Sequence, residues 1–362
     1  MKIFAIIFIL FSTLSYSQSD NIWYSFLDND EYLVGFKSVK GEIMIQPKFM
    51  GMTVAHKFDK VIAVMHELDS SNWDKYYLLK DGRIIGRDSV FSSDYQFDCE
   101  SEGFIKFIDH TAELVGLFDQ NGKVAIPAEY NALSKMRNGL IVGLKGAEKI
   151  YWDNDEHEHW SWTGGSEYLL DSAQTILVDD FKYNPNLDFY SMTISEKKPS
   201  EEHIVSYLGR NELFYSFVDN ELLFTSFLFN ELLPHISVDQ LTSNTHNRIV
   251  YWKNNSWISE LNNKFITDNY DLIATRLSFL LDDECQYTIF HEDFILTTQD
   301  TYSDFEKFKD NCGNLNTTKH PLFNVVITHS EADGFYQDHF NFLKTNDGFK
   351  LLSVTLRNAT LE

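Results

Sequence analysis

The sequence predicts a mainly β protein: an N-terminal array of β-hairpin repeats followed by a smaller C-terminal α+β domain. Three observations carry this. The turn glycines Gly41, Gly82 and Gly122 are spaced 41 and then 40 residues apart, a period that marks stacked supersecondary units. Aromatic residues make up 15% of the chain, with 30 Phe and 18 Tyr, and such side chains fit pleated surfaces. Past about Glu201 the hairpin period gives way to one helical stripe and then to strand-like runs.

The first seventeen residues read as a secretory signal. Lys2 is the basic start, Ile3 to Leu14 is mostly apolar, and Ser15-Tyr16-Ser17 puts small residues at the −3 and −1 positions, so cleavage is expected before Gln18. No Cys stands near the cut, so no lipoprotein site is expected. The apolar run is too short for the roughly 20 residues of a membrane span. The run Leu222 to Ile236 is broken by Asn230 and Glu231 and reads as core. The expected location is secreted or periplasmic.

Residues 18–194 form the expected repeat domain. Its best unit runs from Leu114 to Tyr130. Gly116 and Gly122 are six apart, as are Gly35 and Gly41, and Phe49 and Tyr130 each lie fourteen residues after the first glycine. Four residues ending in Gly, such as Asp119 to Gly122, suit a turn with Gly in the left-handed position. Pro47 and Pro127 lack the N–H that strand pairing needs. The copy at Tyr77 to Ile85 keeps only the turn Gly and its apolar flanks. Short strands complete the units at Phe58–Val64, Gly103–Ile108 and Asn138–Leu144. A lone hairpin is marginal in water, so the units are expected to stack. A fourth unit is expected from Ile150 to Val178, with Gly164-Gly165 as its turn.

Gly-x-x-x-(x)-x-Gly-Lys-x-x-Ile-Pro-x-x-Tyr, with a spacer after it that ends in Gly-Leu-x-Val, resembles the Trp-Gly (WG) repeat family of bacterial proteins over about 33–165. Val34 and Val115 stand where that family carries its Trp. The resemblance implies a β-rich array and no common catalytic residue.

Ser195-Glu196-Lys197-Lys198-Pro199-Ser200-Glu201-Glu202 is polar and carries Pro, and the domain linker is placed there, at 195–202. In the C-terminal domain, 203–362, Leu261, Phe265, Tyr270, Ile273, Leu277 and Leu280 make a helical stripe within Ile258 to Leu281. A second helix is expected from about His291 to Phe308. Strands are expected at Phe323–Thr328, Phe340–Lys344 and Phe349–Leu356, with Thr345-Asn346-Asp347-Gly348 as a hairpin turn. Helices before a terminal hairpin of this kind resemble the NTF2-like cone-shaped domains over about 258–362, a family that includes both enzymes and binding modules.

The net charge of −24 repels phosphate backbones, and no basic run offsets it, so no nucleic-acid partner is expected. Of Cys99, Cys285 and Cys312, the last two fall in one expected domain and are the expected disulfide, worth on the order of 3 kcal/mol, with Cys99 left as a buried thiol. No paired Cys-x-x-Cys spacing marks a zinc site. In Asp153-Asn154-Asp155-Glu156-His157-Glu158-His159-Trp160, strand alternation would place Asp155, His157 and His159 on one face as candidate metal ligands, while a solvated hairpin tip is the ordinary use of such a run. His291-Glu292-Asp293, with His320, His329 and His339, supplies candidate acid–base groups. No nucleophile elbow, phosphate loop or His-Glu-x-x-His pattern occurs, and no cofactor is expected. The expected function is a non-enzymatic binding or scaffold role toward a protein or glycan partner. The alternative is a C-terminal pocket that binds or hydrolyses a small molecule.

Overall fold

A computed structural model describes residues 21–28, 32–69, 72–152, 159–292, 305–331, 334–359 and 361. The expected signal segment, with its cut before Gln18, lies outside the described residues, as do Asp155, His157 and Asp293.

The chain is strand-rich, with helices only late, as its composition predicts. The first sheet holds β1 (Trp23–Leu27), β2 (Val34–Ser38), β3 (Ile43–Phe49), β4 (Lys57–Phe58), β5 (Val61–Asp69), β6 (Asn72–Leu79) and β7 (Ile84–Ile85), in the order β4-β1-β2-β3-β5-β6-β7. A small hairpin, β8 (Ser92–Ser93) and β9 (Gln96–Phe97), leads to the second sheet, β10 (Ile105–Asp109), β11 (Leu114–Phe118) and β12 (Val124–Tyr130). The third sheet joins β13 (Ala132–Leu133), β14 (Leu140–Tyr151), β15 (Trp160–Asp171) and β16 (Ile176–Val178); the fourth joins β17 (Leu187–Ser195), β18 (Ile204–Leu208) and β19 (Phe214–Asp219).

The two best hairpins share one register. Val34 faces Phe49, Phe36 faces Ile45 and Lys37 faces Ile43; Val115 faces Tyr130, Leu117 faces Ile126 and Phe118 faces Val124. Their first glycines serve close approach. A Cβ on Gly35 would sit 2.8 Å from the Ile45 carbonyl, and one on Gly116 would sit 2.5 Å from that of Ile126. Their second glycines, Gly41 and Gly122, hold φ of 84° and 77°.

Between Val34 and Asp219 the turn itself occurs five times. The N–H of Ser38, Leu79, Asp119, Asp171 and Gly209 donates to the carbonyl of Glu42, Arg83, Lys123, Thr175 and Leu213 respectively. In the last two copies the left-handed position is held by Gln174 (φ 66°) and Glu212 (φ 64°). The fourth unit therefore turns at Asp171–Thr175. Gly164-Gly165, expected as that turn, lies inside β15, where Gly164 faces Ala147. The hairpin period also continues past Glu201. Residues 195–202, expected as a linker, connect β17 to β18 within one sheet, whose middle strand β19 pairs with both. An exposed crossover connection and a domain linker have the same polar, Pro-bearing composition, which is why the two readings coincide in sequence.

Packing explains the weak alternation of the inner strands. Ile62 and Val64 enter one core with Phe36, Phe49 and Phe58, while Val61 and Ala63 enter the next with Phe107 and Phe118. Leu140 and Val142 join Phe181, Phe189 and Phe217, whereas Ile141 joins Val115, Leu117 and Tyr130. A sheet covered on both faces reads as a continuous apolar run rather than an alternating one.

Asp219 ends the array and caps α1 (Asn220–Ser226), its carboxylate accepting from the N–H groups of Glu221 and Leu222. Next come α2 (Val238–Ser243), β20 (Thr245–Lys253), β21 (Ser256–Leu261), α3 (Asn262–Ser278), β22 (Gln286–Glu292), β23 (Leu322–Glu331), β24 (Gly334–Thr345) and β25 (Gly348–Thr355). The six strands form one sheet in the order β21-β20-β25-β24-β23-β22. Helix α3 buries Phe265, Ile273 and Leu277 against its Phe323, Phe340 and Phe342. The second expected helix is corrected in two places: His291 lies in β22 opposite Phe323, and Phe305–Phe308 is a single 3-10 turn.

The disulfide is a further correction. It joins Cys99 to Cys312, and Cys285 is the free thiol. The segment 305–316 leaves the C-terminal sheet and lies against the array. The N–H groups of His56 and Lys57 both donate to the Asn311 carbonyl, and Lys135 pairs with Asp310 at 2.8 Å.

Candidate binding surface

β14 and β15 are twelve residues each and pair from Leu140↔Asp171 to Tyr151↔Trp160. β13 covers β14 only at Gly143 and Leu144, and β16 covers β15 only at Leu169 and Leu170. Beyond these contacts the hairpin is a two-stranded ribbon. At its base Gly146 and Gly165 both take positive φ, 76° and 75°, and drop out of the pairing register. A Cβ on Gly165 would lie 2.8 Å from the Ala147 nitrogen. Facing glycines at positive φ interrupt the ladder for one pair, and the register is the same on either side.

Two clamps hold the ribbon just beyond these glycines. The Asn131 side chain donates to the Ala147 carbonyl at 3.1 Å and accepts from its N–H at 2.9 Å. Lys149 pairs with Glu113 at 2.8 Å and draws the Glu113 carboxyl below the usual range.

Alternation then sorts the ribbon's residues onto two faces. Tyr151, Lys149, Trp160 and Trp162 share one. The two indoles meet edge to face at 4.8 Å, with the Lys149 ammonium 4.8 Å and 5.7 Å from their centres. Ile150, Trp152 and Ser161 share the other, where the Trp152 indole N–H donates to the Ser161 hydroxyl at 3.2 Å. Trp152 is 69% exposed, Tyr151 42% and Trp160 39%. Isolated exposed aromatics are ordinary; several on one projecting element, rimmed by polar groups, are the composition of a docking site.

Of the metal candidates, His159 is exposed at the ribbon's end, its carbonyl accepting from the Trp152 N–H; Asp155 and His157 lie outside the described residues. Among the described residues no group of three or more His, Cys, Asp or Glu stands together as a metal site. In the sequence the acidic run draws the eye away from its flanks, yet Tyr151-Trp152 and Trp160-Ser161-Trp162 are the signal that points to this surface.

The acid–base candidates do not converge. Asp338 is fully buried and satisfied on every side: His329 Nε2 lies 2.9 Å away, Arg276 Nη1 3.3 Å, and the Arg357 N–H donates at 2.9 Å. The His329 ring stacks on Tyr336 at 4.6 Å. This cluster ties α3 to β23 and β24 beside an open 320 Å³ cavity that also touches Cys285, whose thiol burial pushes up, with Asp282 adding to the shift. Burial lowers the pKa of both His320 and His339; His320 contacts the Lys344 carbonyl, and His339 contacts Asn324. The space between α3 and the sheet is filled by Phe265, Phe323, Phe340 and Phe342.

The chain matches no family model, no curated protein and no solved structure.

Proposed function

We propose that the chain is an exported, non-catalytic binding protein that docks a protein partner through the aromatic ribbon of β14 and β15. The observation that supports this most directly is the placement of Trp152 and Trp160 on opposite faces of a two-stranded element that no other described strand extends. An element that is aromatic on both faces suits insertion into a partner's groove, where Trp and Tyr supply large rigid contacts. A sugar is held by one aromatic platform in a concavity, so the shape favours the protein partner over the glycan. The Cys99–Cys312 bond supports export, because structural disulfides persist in oxidising compartments. The small-molecule reading has less support, since phenylalanines fill the interior of the C-terminal domain.

A photo-crosslinking residue placed at Tyr151 in the producing cell tests this. The expected result is one discrete adduct with a protein, abolished by W152A and W160A. Equal adducts from a crosslinker at the exposed Tyr95, or none from Tyr151, would overturn the reading. Glycan-array binding lost on W160A would replace the protein partner with a glycan.

A further inference from the structure

We infer that a second site, a 600 Å³ cavity in the C-terminal domain, binds the oxyanion group of a phosphate or sulfate ester. It lies between the start of α3, the β24–β25 turn and the segment 305–321, away from the aromatic ribbon. Among the described residues, Lys307, Lys319, Lys350, His246 and His320 line it against a single carboxylate, Asp347. The chain as a whole carries 54 acidic residues against 30 Lys and Arg. A cavity with three ammonium groups to one carboxylate therefore runs against the composition of the molecule.

Two of these lysines are not spent on neighbouring acids. Lys350 donates to the Ser243 carbonyl at 2.7 Å, and Lys319 lies 5.4 Å from the Tyr190 ring. Neither has a carboxylate partner among the described residues. An anion in the cavity would supply the counter-charge that these two lysines lack among the described residues. His320 lines the same cavity. Only 7% exposed, its ring loses basicity chiefly through burial, opposed by the bond its Nδ1–H donates to the Lys344 carbonyl at 3.1 Å, with Lys319 adding a smaller loss. Helix α3 adds its positive end: Asn262 lines the cavity and no acidic residue occupies the first turn. The exposed amides of Asn247 and Asn346 complete the rim. Ammonium point charges surrounded by amide donors suit a tetrahedral oxyanion.

Titration of inorganic phosphate and inorganic sulfate into the whole chain at low salt, read by calorimetry, tests the inference. The expected result is saturable binding at roughly millimolar concentration. K319Q and K350Q should each weaken it about tenfold. K264Q, on an exposed lysine that pairs with Glu260 and Asp268 outside the cavity, should leave it unchanged. A sugar phosphate and a sugar sulfate, run in parallel, identify which ester is preferred. Because Lys350 also holds the Ser243 carbonyl, the double variant K307Q/K319Q repeats the test without touching that bond. No saturable binding, or an equal loss in K264Q, would overturn the inference.

Discussion

Breaking the Cys99–Cys312 bond should cost the folded chain far more than a local staple would. The two residues are 213 apart in sequence. In the loop-closure account the stabilisation grows with the logarithm of the loop, and a closure of this length is worth about 5 kcal/mol. The native side offers little to offset its loss. Cys99 is buried in the first core with Phe36, Phe49 and Phe58, so C99S also places a hydroxyl among phenyl rings. Urea unfolding of the wild type, with and without reductant, and of C99S, C312S and the double variant provides the assay. C312S and the reduced protein should lose roughly the same stability, C99S somewhat more, and the double variant no more than C99S, because the two residues act as one device. C285S should unfold like the wild type. A loss in C285S equal to that in C312S, or peptide mapping that joins Cys285 to Cys312, would refute the reasoning.

Particular contacts set three further outcomes. Glu306 is partly buried, which pushes its carboxyl up, but His56, Lys57 and Lys309 outweigh burial and hold it below the usual range. A depressed folded pKa gives stability that is present above the unfolded value and lost as pH falls through the folded one, so the urea midpoint should drop between roughly pH 5 and pH 3, and E306Q should flatten that drop. D338N leaves Arg276 and His329 buried beside a neutral amide and should cost about 3 kcal/mol or more, read as a lowered melting temperature; an unchanged melt would show that the cluster is not a brace. G116A drives a methyl into the Ile126 carbonyl and the Phe107 ring and should cost about 2 kcal/mol. G41A meets open space and strains only its φ of 84°, for about 1 kcal/mol; the reverse order in urea unfolding would overturn these roles for the two glycines.

The sequence shows the array where local chemistry is strict. Gly41, Gly82 and Gly122 are legible because glycine is the cheap residue at positive φ. Gln174 and Glu212 hold the same conformation in the same hydrogen-bonded turn, yet a non-glycine there leaves no mark, so the fourth unit's turn is misplaced and the fifth unit stays hidden in the sequence. The stripe on α3 is legible because Phe265, Ile273 and Leu277 face one core. The disulfide is not: proximity in sequence favours Cys285 for Cys312, whereas the actual partner is brought near only by the segment 305–316 folding back on the array. For the candidate surface, the aromatic flanks of the acidic run are present in the sequence, but the length of the strand pair that carries them past its neighbours shows only in the pairing.

A stack of sheets has two ends, and each exposes an apolar face that must be covered. Here the C-terminal domain reaches both. At the first unit Cys312 packs on the core that holds Cys99, and Glu306 accepts from His56 and Lys57. At the last, Lys344 of β24 donates to Asp188 of the edge strand β17 and to Asn220 at the start of α1, with both bonds 2.7 Å long. The C-terminal domain thus brackets the array, and its phenylalanine-filled interior serves that covering role without a ligand. The ribbon of β14 and β15 escapes this logic. Its outer residues extend past every described strand that could cover them, and exposing Trp152 stabilises nothing in the stack. A feature that folding does not require, held in place by two side-chain clamps, is the part of the molecule that is explained by what it meets outside.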